Sequence, residues 1–249
     1  MTLNNDLKAA FDFLNQGKFK LALKQSKGGM KRHKSHPDFP NIAGISLSGL
    51  GKHRDAVPYF KKALALAPGF HDARKNLAQT LLFLQQGEPA MKLLDRVLKD
   101  QPGDQAALYL QAQAHLVMNN PEAAIDTATK ALARDARQPR MLRLRATAWN
   151  TLGDEKATLA DYQAALKVNP NDADALQNAD SYVMLVIAVT GNAGMAAHHT
   201  PFAGDSGAVT TGPNALEAQR AIGYAESWLN YASFWTAGLY DWVHASQSG

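Results

Sequence analysis

Ser206, Asp205 and the nearby His198 and His199 are the residue types of a nucleophilic triad. A serine attacks only when a base, held by a third group, takes its proton and an oxyanion hole receives the developing charge. Here the candidates share one glycine-rich stretch, with Gly204 and Gly207 on either side of Asp205-Ser206 and nothing to fix a base. A glycine-rich turn is therefore the better reading. The same histidines with Asp205 have metal-ligand chemistry. Adjacent histidines project differently, however, and no second spaced pair follows, so no metal is expected. Val186 to Ala197, VIAVTGNAGMAA, reads as an apolar strand entering a phosphate-cradling glycine loop. The Gly-Lys-Ser/Thr that would complete such a loop is missing.

Charge is the next candidate. Residues 171–249 hold one basic residue, Arg220, against seven acids, a net charge of −6. The whole chain carries +4, so residues 1–170 carry +10. The positive charge is densest in Lys18, Lys20, Lys24, Lys27, Lys31, Arg32 and Lys34, with His33 and His36 beside them. Such a run attracts nucleic acid, anionic lipid or an acidic partner. Only Phe19 interleaves it, too little for a base-stacking platform, so nucleic acid is not the expected partner. With no cysteine in the chain, disulfides, thiolate zinc sites and cysteine nucleophiles are excluded. MTLNNDLKAAFDFL lacks a basic segment leading into an apolar run, so no signal peptide is expected and a cytoplasmic location is.

The elements that must position any site are organised around Gly51 to Phe70, GKHRDAVPYFKKALALAPGF. Ala56, Phe60, Ala63 and Leu64 fall on one helical face. Gly51 breaks the preceding helix and Pro68-Gly69 ends this one. The pattern recurs every 34 residues. The leucine before the stop is Leu64, Leu98, Leu132 and Leu166, with Met30 one step earlier. A small residue precedes it at Gly29, Ala63, Ala131 and Ala165, with Val97 between. Another small column reads Ala22, Ala56, Ala90, Ala124 and Thr158, and the preceding helix gives Ala10, Gly44, Ala78, Ala112 and Ala146. Three residues on, larger side chains stand at Phe13, Leu47, Leu81, His115 and Trp149. In the third unit the turn glycine, Gly87, falls two residues late, and Pro89 sits at a helix start.

These columns resemble the tetratricopeptide repeat family over residues 3–172, with units near 3–36, 37–70, 71–104, 105–138 and 139–172. The resemblance implies an all-α, right-handed superhelical solenoid of about five helix pairs that holds a peptide or partner protein, without catalysis or cofactor. It also implies that one outward position of each first helix lines a concave groove: Asn41, Lys75, Tyr109 and Arg143, with Asn76, Gln79, Gln113 and Arg140 beside them. Lys75 and Arg143 would hold a carboxylate, the asparagines a peptide backbone, and Tyr109 a side chain. This is similar to the carboxylate clamp of chaperone-tail binders, although Leu7 stands where that clamp has a lysine. An acidic partner, or one with a free C-terminus, is therefore expected. The alternatives are the repeat region of a truncated or diverged bacterial sulfotransferase or glycosyltransferase, or a basic surface for polyanions.

Beyond the repeats, residues 173–189 read as a capping helix that extends the solenoid to 189, and 190–213 as a glycine-rich loop. Residues 214–249 read as an aromatic helix. Trp228, Trp235 and Trp242, spaced by seven, form one stripe with Tyr231 alongside. Three exposed tryptophans would be an unusually apolar patch, so this helix is expected to fold back or to pair with a second copy. Ser181 to Val189 is too short for a membrane span. The small columns predict close helix contact. Ala56→Leu or Ala90→Leu is expected to overpack it by about 1–3 kcal/mol, read as a lower urea midpoint at unchanged slope.

Overall fold

The computed structural model describes residues 2–169, which form ten α-helices and no strand. These are α1 (Leu3–Asn15), α2 (Phe19–Arg32), α3 (Asp38–Gly49), α4 (His53–Leu66) and α5 (His71–Phe83), then α6 (Gly87–Asp100), α7 (Gln105–Val117), α8 (Pro121–Arg134), α9 (Pro139–Leu152) and α10 (Glu155–Val168). The fold class is all-α. The expected capping helix, glycine-rich loop and aromatic segment lie outside the described residues, as do Ser206, the paired histidines and Trp228, Tyr231, Trp235 and Trp242. The chain divides into two compact units, 1–127 and 128–249, with the boundary inside α8.

In the first unit α1 packs on α2, α3 on α4 and α5 on α6, and each second helix also packs on the first helix of the next pair. The first helices α1, α3, α5 and α7 lie side by side. Ala10, Ala56, Ala63, Ala78, Ala90 and Ala112 are wholly buried, as the small columns require. Phe60, Leu77, Leu94 and Val97 fill the core around Ala56 and Ala90. In the second unit α9 packs on α10. Arg145 joins them with two bonds to the buried Asp161, Nε to Oδ2 at 2.8 Å and Nη2 to Oδ1 at 2.7 Å.

Each helix pair is joined by the same turn. Gly17, Gly51, Gln85, Asn119 and Gly153, spaced by 34, all have positive φ, between 55° and 75°. The residue after each donates its N–H back across the turn. Lys18 donates to Phe13 at 2.8 Å, Lys52 to Leu47 at 2.9 Å, Gln86 to Leu81 at 2.9 Å, Asn120 to His115 at 2.9 Å and Asp154 to Trp149 at 3.0 Å. These bonds satisfy carbonyls that the helix end would otherwise leave orphaned.

The third unit corrects the sequence reading. The turn has not slipped to Gly87; it stays in register with Gln85 in the left-handed conformation. Gly87 instead opens α6 and is buried, and a Cβ there would lie 2.5 Å from Cγ of Met118. Its glycine serves the approach of α6 to α7. Gly28-Gly29 likewise leaves α2 unbroken: a Cβ on Gly29 would lie 2.2 Å from the Phe39 ring.

A non-glycine residue in the left-handed region costs about 1–2 kcal/mol. Glycine gives back about 0.4–1 kcal/mol through the freedom of the unfolded chain. Gln85→Gly is therefore expected to stabilise by about 0.5–1 kcal/mol, and Gly51→Gln to destabilise by a similar amount. Chemical denaturation of the two variants reads both signs.

Candidate functional site

The first-helix face of the first unit carries most of the predicted groove residues. Asn41 on α3 is buried, and its Oδ1 accepts a bond from Asn76 Nδ2 on α5 at 3.1 Å. Two turns further along α3, the Ser48 hydroxyl meets the Thr80 hydroxyl on α5 at 3.2 Å. The two contacts stitch neighbouring first helices together at polar points. Gln79 is exposed beside them. On α7, Gln113 donates to the Tyr109 hydroxyl at 3.2 Å, and both side chains are partly exposed.

Lys75 is not an open cation. Its ammonium bonds Asp104 Oδ2 at 2.6 Å and lies 3.2 Å from Asp72 Oδ1. Burial works against its charge, but the two carboxylates outweigh that and hold its pKa above the ordinary lysine range. Asp104 is subject to the opposite balance. Burial would raise its pKa, while the bonds from Lys75 and from the Ala107 amide keep it below the ordinary carboxylate range. Asp104 also caps α7, since its Oδ1 accepts from Ala107 N at 2.8 Å. One side chain therefore starts a helix and fixes Lys75. A ligand carboxylate reaches Lys75 only in competition with Asp104.

Arg140 and Arg143 stand on α9 in the second unit. Arg140 is exposed and Arg143 half-buried, with the Arg143 carbonyl accepting from Thr147 at 3.0 Å.

The basic run of the first unit is divided. Lys20, Lys24, Lys27 and Lys31 stay exposed along α2. Arg32 and His33 turn instead to Asp6 on α1, at 2.8 and 2.9 Å, and Gln25 adds a bond at 3.2 Å. Asp6 is wholly buried, and the Arg32 guanidinium foremost, against the cost of burial, holds its carboxyl below the usual range. The sequence reading missed this cluster because Asp6 lies 19 to 27 residues from its partners and the set fits no local motif. Among the described residues there is no metal-ligating group of three or more side chains, and no helix long and apolar enough to cross a membrane.

A family profile described as tetratricopeptide repeat matches residues 47–114 and 90–148. Residues 47–148 carry tetratricopeptide repeats. Among solved structures, the repeats are similar to residues 41 to the end of MamA from Desulfovibrio magneticus RS-1, at 23% identity and a TM-score of 0.61, over 68% of this chain and 96% of that one. They are also similar to TTC0263, a thermophilic repeat protein of Thermus thermophilus, at 18% identity and a TM-score of 0.64, over 74% of this chain and all of the other. A human relative, the protein O-mannosyl-transferase TMTC1, is 26% identical over 132 residues. That match takes in 51% of this chain and only 15% of the relative.

Asp104 allows its two roles to be separated. Its lowered pKa means that it stabilises the fold above the ordinary carboxylate pKa, and that this contribution is lost as pH falls through the lowered value. Asp104→Asn keeps a capping oxygen and loses the ion pair, so stability should depend less on pH below about pH 4. Asp104→Ala loses the cap as well, at about 1 kcal/mol more. Denaturation midpoints across the acid range check both outcomes.

Proposed function

We propose that the chain is a non-enzymatic scaffold whose first-helix face holds a peptide or a partner protein. The observation that carries this reading is the polar ladder of α3, α5 and α7: Asn76 bonded to Asn41, Lys75 set by Asp104, and Tyr109 beside Gln113. Beneath it lies a close-packed core that fixes the spacing of the three helices. Asparagine and glutamine amides offer both a donor and an acceptor, which suits an extended peptide backbone. Tyr109 adds a large rigid surface at small entropic cost. The internal ion pair at Lys75 favours a ligand read through amide bonds over one held by a single carboxylate.

A second reading, a repeat region serving a glycosyltransferase or sulfotransferase, draws on the match to the human mannosyl-transferase. Turnover of a nucleotide-activated sugar or sulfate donor by the chain would favour it.

The scaffold reading is tested with Asn76→Ala, Gln79→Ala and Tyr109→Ala combined. Native partners are captured on the wild-type protein, identified by mass spectrometry and titrated against both forms. At least a tenfold loss of affinity with unchanged helical content is expected, equivalent to about 1.4 kcal/mol. Equal affinity in the triple variant removes this face from consideration.

A further inference from the structure

The opposite, second-helix side of the first unit holds a groove of about 670 Å³ that the first-helix reading does not use. Its walls are α4 and α6, and its floor comes from α5. Val57 and Leu93 stand on the two walls and Leu77, Leu81 and Leu84 on the floor. Leu77 and Leu81 are almost fully buried, whereas Val57, Leu84 and Leu93 remain partly open.

The rim has one sign of charge. Arg54 and Lys61 line it from α4, and Lys92 and Arg96 from α6. All four are exposed, and no lining residue is acidic. None of the four is paired with a carboxylate among the described residues. Arg54, Val57 and Lys61 share one face of α4, and Pro89, Lys92, Leu93 and Arg96 share one face of α6. Helical spacing within α4 and α6 therefore places two cations on each side of an apolar trough.

We infer that this groove docks an amphipathic helix of a partner protein, with apolar side chains in the trough and acidic residues against Arg54, Lys61, Lys92 and Arg96. The chemistry selects this occupant. A nucleic acid would satisfy the cations but bring no apolar anchors, and no aromatic ring lines the groove for its bases to stack on. A membrane surface meets protruding apolar side chains, whereas these are recessed between two helices. An acidic amphipathic helix fills the trough and neutralises the rim together, the helix-in-groove mode of recognition. The site is independent of the first-helix face, so the two readings stand or fall separately.

The probe is a fluorescein-labelled synthetic helix with leucines at i, i+3, i+4 and i+7 and glutamates on its other face. It is titrated against the full chain by anisotropy. Saturable binding that weakens as salt rises is expected, together with at least a tenfold loss in Lys92→Glu/Arg96→Glu and in Leu84→Ser. The combined first-helix variant should bind the probe as the wild type does. Circular dichroism confirms that each variant is folded, and Arg54→Glu/Lys61→Glu on the other wall repeats the test if Lys92→Glu/Arg96→Glu is not. The inference is overturned if the full chain fails to bind the probe, or binds a version with lysines for glutamates equally well. It is also overturned if charge reversal leaves affinity unchanged, or if the rim cations serve single-stranded DNA, anionic vesicles or self-association instead of the peptide.

Discussion

The structure depends on a reversal of the chain that must be made at the same place in every unit. A helix ending in water leaves carbonyls unbonded, and a following helix can pack back only if the chain turns within a few residues. The left-handed residue at Gly17, Gly51, Gln85, Asn119 and Gly153 achieves both, because it aims the next amide at the carbonyl five residues back. Those carbonyls belong to Phe13, Leu47, Leu81, His115 and Trp149, the column of large side chains. The backbone bond and the side chain that fills the gap beside it therefore come from one residue.

Given that turn, the distance between helices is set by exchange of volume. Gly29 lies under the Phe39 ring and Gly44 under Phe60, each leaving room for an aromatic ring where a Cβ would collide with it. Phe19 is accommodated by Gly49 in the same way, and Met118 by Gly87. Where neither partner is small, the contact changes kind: His53 stacks on Phe83 at 4.6 Å between centroids. Interiors pack at near-crystalline density, so a large residue on one helix needs a small one opposite. Gly29 in α2 and Gly87 in α6, which look like helix breaks, are the small members of such pairs.

The columns were legible in the sequence because each repeats one physical requirement. Alanine at 56 and 90, or the large residue at 47 and 81, is visible without coordinates. The exceptions were misread where one requirement was met by an unexpected residue. Gln85 takes a conformation usually left to glycine, and the nearest glycine, Gly87, was assigned its task. The 34-residue step that relates Asn41, Lys75 and Tyr109 could be read, but the bonding of their side chains could not. Whether Lys75 faces a ligand or Asp104 depends on where α7 begins, and Asp104 marks that point with its cap. Asp6 left no signal at all, since its partners Arg32 and His33 are brought to it only by the packing of α1 on α2.

The two faces of the first unit differ in how their polar groups are satisfied, and this sets the kind of ligand each can take. On the first-helix face the asparagines bond each other and Lys75 is already paired. A ligand there exchanges bonds and gains mainly specificity, because an ill-fitting one leaves buried partners unsatisfied. On the second-helix face the rim cations of α4 and α6 have no carboxylate partner among the described residues, and the trough between them is apolar. A ligand there adds contacts without breaking an ion pair, so charge steering and apolar burial act together. Under the two proposals one face discriminates and the other attracts, and alternate helices of the repeat carry them.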